Sequence, residues 1–235
     1  MSQPSSSVPS PAAAWPGASA PDPAPLGMAA FGLANFIQAF FATGLDPALN
    51  PAAFPLEFLT GGVVQLIAGI FEFRQGSRIG ATTFSLYGSF WMGFALYDRF
   101  VVKTLPPGDA HTGSGLFLLP WAVLTIVLTL AAVRTTGVLL AAFVSATFVF
   151  CLETAAAFAQ SSVLLKVGGA FGFVTAAVAL YAVLAGLVNG TWGRRVLPTY
   201  PDPGKRLAHL ARNKERPVSV TSSAGEAELA REAAR

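Results

Sequence analysis

Between Pro55 and Tyr97 the chain runs through two apolar segments, Pro55–Phe73 and Ile79–Tyr97, separated only by a polar turn at Arg74–Arg78. A helix rises about 1.5 Å per residue and needs about 20 apolar residues to cross a hydrocarbon core, so each segment is long enough to span. The turn is too short for anything but an antiparallel hairpin. Few other arrangements of such a stretch are open to a folded chain.

Four more spans share this character. They are Leu26–Leu45, opening just after Pro25; Leu116–Val133; Gly137–Ala159; and Val163–Asn189. Pro120 is expected in the first turn of its helix, where a missing N–H matters least. Gln160-Ser161-Ser162 divides the last two spans, whose combined length exceeds one crossing. The expected fold class is all-α, a polytopic membrane protein with six transmembrane helices per protomer. Charge agrees: 11% of residues are charged and 53% hydrophobic, against about 25% charged in soluble domains. So few helices cannot enclose a wide pore; any path is narrow, or each subunit contributes one.

Residues 1–21 are rich in Ser, Pro and Ala and contain no Lys or Arg. They lack the basic start and apolar core of a signal peptide and are expected to form a disordered tail. The membrane domain is expected over 22–198. A polar, basic tail follows over 199–235, disordered or, at Ala224–Arg235, a short and marginal surface helix. The single cysteine, Cys151, excludes an intrachain disulfide. The net charge of +3 comes mostly from the C-terminal tail and argues for no nucleic-acid partner.

With six spans, both termini share a side. That side would carry Arg74, Arg78, Arg134, Arg194, Arg195, Lys205 and Arg206, against Arg99, Lys103 and Lys166 opposite. The bias places both termini in the cytoplasm, although the loops alone are tied and the tail decides it.

Polar side chains inside apolar spans are the candidates for function. Asn35 and Gln38 share a face of the first helix, and Gln65 lies midway along the second. Thr82, Thr83, Ser85, Tyr87 and Ser89 run through the third, and Ser145 and Thr147 sit on the fifth. Asn35, Gln38, Gln65, Thr82 and Thr83 are read as polar residues lining a path. The plainer reading is interhelical hydrogen bonding, worth about 0.6 kcal/mol each, or back-bonding of hydroxyls to their own helix. Glu57 opens its helix, where the macrodipole favours negative charge. Glu72, Arg74 and Arg78 suggest an ion pair at the turn. Glu153 lies well inside the fifth span without a basic neighbour, so it either carries a proton or faces water. It joins the path-lining set. No HExxH motif or nucleophile elbow occurs, and His111 and His209 fall in a loop and the tail. An enzyme, a metal site and a cofactor are therefore not expected.

Three motifs carry a resemblance over residues 22–198. GGVVQLIAGIFEFRQG followed by GATTFSLYGSFW resembles the central signature of the acetate uptake transporter family, the SatP-type succinate–acetate permeases. DPAPLG at Asp22–Gly27 resembles its N-terminal NPAPLG, with Asp for Asn at position 22, and WGRRVLP at Trp192–Pro198 resembles its C-terminal end. The resemblance implies homo-hexamers of six-helix protomers, each with a narrow pore. It implies a constriction made by Phe31, Tyr87 and Ala146, the last in place of a leucine-like residue, so that the neck is expected to be wider. It also marks Glu153 as unusual, since that position is apolar in the family.

The implied function is transport of acetate, extending to succinate or other short carboxylates, coupled to or accompanied by protons, across the cell membrane. A bare carboxylate in a dry constriction costs several kcal/mol, on the order of the penalty for any buried ion, so an apolar neck favours a neutral or neutralised cargo. The partners expected are a small carboxylate, protons and membrane lipid. Two alternatives stay open: a channel for small neutral amides or urea, and a non-transporting membrane sensor or assembly protein.

Overall fold

The computed structural model describes residues 21–106 and 108–200. The expected tails fall almost wholly outside the described residues, as do Lys205 and Arg206. Within them the chain forms α1 (Ala24–Thr43), α2 (Leu56–Arg74), α3 (Arg78–Leu96), α4 (Ala110–Ala132), α5 (Gly137–Ala159) and α6 (Ser162–Thr191). There is no strand among the described residues.

Local chemistry sets the helix ends. Asp22 Oδ1 accepts from the Ala24 N–H at 2.9 Å before α1. The hydroxyls of Ser77, Thr136 and Ser161 accept from the N–H of Gly80, Leu139 and Leu164 at the starts of α3, α5 and α6, as N-caps do. Gly44 closes α1 with φ 108°, a left-handed turn open to glycine. Gln160 takes the same role after α5 at φ 51°, which makes the break expected at Gln160-Ser161-Ser162.

Three features differ from expectation. α4 starts at Ala110, more than a turn before Leu116, because the polar residues His111, Thr112 and Ser114 are still helical; Ser114 donates to the Ala110 carbonyl at 2.9 Å. His111 is thus in the first turn of a helix rather than a loop. Pro120 is consequently interior to α4, not in its first turn, and removes one intrahelical donor. Finally, α2 opens as a wide π-helical stretch, Leu56–Val64, through the Gly61-Gly62 pair.

Among the described residues five helices are long and apolar enough to cross a membrane, by length and composition. α3, of similar length, is diluted by Thr82, Thr83, Ser85, Tyr87 and Ser89. The helices close a ring in which α1 packs on α6, α6 on α5, α5 on α4, and α2 on α3 and α1. Small residues face inward (Ala34, Ala68, Ala81, Ala176 and Ala179 are all at 0% exposure), while Leu116, Leu130 and Val163 point outward. Lipid offers no hydrophobic drive between helices, so close backbone approach supplies the packing. At Gly88 a Cβ would lie 2.7 Å from the Leu66 nitrogen and 2.8 Å from the Gly62 carbonyl oxygen. The segment after α6 folds back: Asn189 Oδ1 accepts from Val196 and Leu197 N–H at 2.7 and 2.9 Å, and Tyr181 O–H donates to the Pro198 carbonyl.

Candidate functional site

Among the described residues, spaces open between the helices at several levels. On the side carrying the α2–α3 turn, the proximal side, a vestibule of about 430 Å³ open to water centres is lined by Asp22, Glu72, Gln75, Ser77 and Thr83 among others. It shares Met28, Thr83, Phe84, Leu139 and Phe143 with a chamber of about 20 Å³ that also touches Phe31, Gln65, Tyr87 and Ala146. Past the level of Tyr87 lies a chamber of about 10 Å³ lined by Asn35, Gln38, Trp91, Phe150, Glu153 and Gly172. A distal vestibule of about 230 Å³ is lined by Asn50, Glu57, Asp98, Arg99 and Lys103. The inner chambers are about the size of one water.

Aromatic rings separate the two inner chambers. Phe31 and Tyr87 stack with centroids 5.3 Å apart and an interplanar angle of 13°. Phe150 stacks on the same tyrosine at 6.0 Å and meets Phe90 edge-on at 4.9 Å. Tyr87, 1% exposed, donates its hydroxyl to Thr125 Oγ1 at 2.9 Å, and Thr125 donates to the Trp121 carbonyl at 2.7 Å. The ring is thereby anchored to α4. The two inner chambers share no lining residue: Phe31 and Tyr87 border one and Phe150 the other.

Phe31, Tyr87 and Ala146 do come together. Beside Ala146, one turn further along α5, Phe150 stacks on Tyr87. Sequence reasoning missed Phe150, and also Thr125, which accepts the Tyr87 hydroxyl. Phe150 lies one turn from Ala146 on α5, but a stripe of apolar and aromatic residues gives no rotation, and nothing in the sequence around Thr125 marked it.

The polar residues divide. Gln65 is fully buried, and neither its amide oxygen nor its nitrogen has a hydrogen-bond partner among the described residues; the Thr83 hydroxyl is likewise unpartnered. Both face the proximal chamber. Asn35 donates to the Phe31 carbonyl of its own helix at 2.9 Å and, with the half-buried Gln38, lines the distal chamber. Thr82 is a correction: it is exposed on the outer face of the protomer and borders none of these spaces. Ser145 and Thr147 back-bond to Ala142 and Phe143, and Thr147 also meets Thr129 at 2.7 Å; these serve packing. Glu153 is buried and borders the distal chamber. Trp91 Nε1 and Glu57 Oε1 are buried without hydrogen-bond partners among the described residues, signals absent from the sequence. The ion pair expected at the turn does not form among the described residues: Glu72 is buried and hydrogen-bonded by Ser77, and Arg74 lies over the Phe71 ring.

Buried polar groups are almost always paired. Unpaired amide and hydroxyl groups facing a chamber can take over from water around a small polar cargo. No group of three or more metal-ligating side chains occurs among the described residues.

Comparison with known proteins bears on what that cargo is. The succinate-acetate/proton symporter SatP of Escherichia coli (strain K12) is 30% identical over 179 residues, spanning 75% of this chain and 94% of that one. Acetate permease A of Emericella nidulans is 30% identical over 209 residues, 82% of this chain and 70% of that one. A solved structure of the bacterial acetate channel SatP superposes with a TM-score of 0.72 at 27% identity, covering 77% of this chain and 99% of that one. These relatives are transporters and channels rather than enzymes. The model of the GPR1/FUN34/yaaH family matches residues 5–201, and the chain belongs to that family.

Proposed function

We propose that each protomer carries acetate, and with it succinate and other short carboxylates, along the ring axis, accompanied by protons. The observation that carries this reading is the fully buried Gln65, both amide atoms unpartnered, beside the unpartnered Thr83 hydroxyl and one step from the Phe31–Tyr87 stack. An amide N–H and a hydroxyl suit a carboxyl headgroup, and the apolar wall of Met28, Phe84 and Phe143 suits its short alkyl part.

The cargo sheds water to pass the stack, and an ion doing so unaccompanied costs several kcal/mol, on the order of the buried-ion penalty. Passage as the neutral acid, or with a proton alongside, avoids most of that cost. In this reading Phe31, Tyr87 and Ala146 form the neck, Gln65 and Thr83 receive the headgroup on the proximal side, and Asn35, Gln38 and Glu153 receive it on the distal side. In this reading transport resides in residues 22–198.

Arg74, Arg78, Arg134, Arg194 and Arg195 lie on the proximal side, and Arg99, Lys103 and Lys166 on the distal side, which supports a cytoplasmic proximal face in the cell membrane. In this reading the protomers assemble as the homo-hexamer that the family resemblance implies. Purified protein in liposomes tests the function through uptake of labelled acetate under an imposed pH difference. Uptake that acetate and succinate compete for, that urea does not, and that follows the pH difference is the expected result. Liposomes that take up nothing, or that urea competes, refute it.

A further inference from the structure

The chamber that Asn35 and Gln38 line also carries an acid, and nothing in a path for carboxylates calls for one. Glu153, 8% exposed on α5, borders this space of about 10 Å³, room for about one water. No described residue gives its carboxyl a hydrogen bond or an ion pair. The side chain is seated by a glycine: a Cβ at Gly168 of α6 would come within 3.0 Å of Glu153 Cγ, so the neighbouring helix is hollowed where the acid lies.

No cation lines the same chamber. Its other polar groups are the neutral Asn35, Gln38 and Trp91, and Trp91 Nε1 is buried without a partner among the described residues. Lys166 of α6 lies beside Gly44 at the end of α1, and Arg99 and Lys103 border the outer vestibule with Glu57 and Asp98. A cargo carboxyl that enters here meets a second carboxyl within a space of one water. Two carboxyl groups sharing a site hold a proton between them; two ionised ones in a low-dielectric space repel strongly. The chamber therefore suits a cargo that carries its proton.

We propose that Glu153 is a specificity-determining residue that passes monocarboxylic acids well ahead of dicarboxylic ones. This rests on the transport reading above. A monocarboxylic acid arrives with one proton, holds it between its own carboxyl and that of Glu153, and leaves with one proton. Glu153 ends as it began, and no net charge crosses. Succinate brings a second carboxyl, ionised near neutral pH. That charge lies close to Glu153 and finds only neutral amides and the rings of Phe31, Tyr87 and Phe150 around it. Succinate is slowed unless both of its carboxyls carry protons.

The test is proteoliposome uptake of labelled acetate, butyrate and succinate at one fixed neutral pH, in wild type, Glu153→Gln, Glu153→Leu and Glu153→Asp. Butyrate has the four carbons of succinate and a single carboxyl, so it separates charge from size. Glu153→Gln keeps the shape and loses the acid, Glu153→Leu removes the acid independently, and Glu153→Asp keeps it. The succinate-to-acetate ratio should rise about tenfold in Glu153→Gln and Glu153→Leu, the scale of one like-charge repulsion removed at a separation of several ångströms. The butyrate-to-acetate ratio should not change, and Glu153→Asp should keep the wild-type ratios. Cooperative melting in detergent shows which variants are folded, and either acid-free variant suffices to decide. An unchanged succinate-to-acetate ratio in a folded acid-free variant, or a butyrate ratio that rises with it, overturns the assignment while leaving acetate transport intact. Wild type that takes up no acetate refutes the transport reading itself.

Discussion

Replacing Phe31 by alanine should open the neck. Phe31 is 5% exposed and its ring lies flat on Tyr87 with centroids 5.3 Å apart. Carbon atoms in contact sit about 3.5–4 Å apart, so removing the ring frees a slot of about that thickness beside Tyr87. That slot joins the Gln65 chamber to the Asn35 and Glu153 chamber, which share no lining residue. A slot of this kind admits a branched or aromatic acid where the intact stack does not. The uptake of benzoate relative to acetate should rise about tenfold, equivalent to about 1.4 kcal/mol in relative barrier. Stability should fall as well. A buried Phe→Ala costs about 3–5 kcal/mol in soluble cores, and the lost stacking accounts for about 0.5–1.5 kcal/mol of it. Lipid-solvated unfolded helices keep part of their apolar contacts, so the loss here should lie at the lower end. Phe31→Leu, which keeps bulk without the flat ring, separates the two effects: near-wild-type melting in detergent with an intermediate benzoate-to-acetate ratio. Flux assays in liposomes with both acids read the result. An unchanged ratio in a Phe31→Ala protein that still melts cooperatively would refute the assignment of the neck.

Four further outcomes follow from where particular side chains lie. Gln65→Leu removes two buried polar atoms that lack partners. It should leave the melting temperature unchanged or raise it, by up to about 1–3 kcal/mol of relieved desolvation, while the KM for acetate rises about tenfold; a thermal melt and uptake kinetics check the two halves separately. Tyr87→Phe deletes the bond to Thr125 and should cost about 0.6 kcal/mol, the mean for such bonds in membrane bundles, with the size cutoff for acids retained because the ring stays. Gly88→Leu forces a Cβ against the backbone of Leu66 and Gly62, so α2 and α3 must separate. A destabilisation of about 1–3 kcal/mol is expected, seen as a lower melting temperature and loss of assembled protein on size exclusion, whereas Thr82→Val on the outer face should leave uptake as it was.

The number of spans, the α2–α3 hairpin and the break at Gln160 follow from the chain alone. Length and hydropathy are one-dimensional properties, and the bilayer converts them directly into crossings. Phe31 and Tyr87 were legible because motifs anchored them, and Gln65 because an amide in an apolar run is conspicuous. Rotation of each helix about its axis is another matter. It decides that Tyr87 reaches Thr125, that Phe150 rather than a residue at Ala146 completes the stack, and that Thr82 faces outward while Thr83 faces the chamber. It also buries Glu57, an apparent helix-end acid, and Glu153. Apolar residues surround these spans on nearly every side, so no polar face in the sequence marks which way a helix turns. That is settled only when glycines and alanines on neighbouring helices meet and exclude every other rotation.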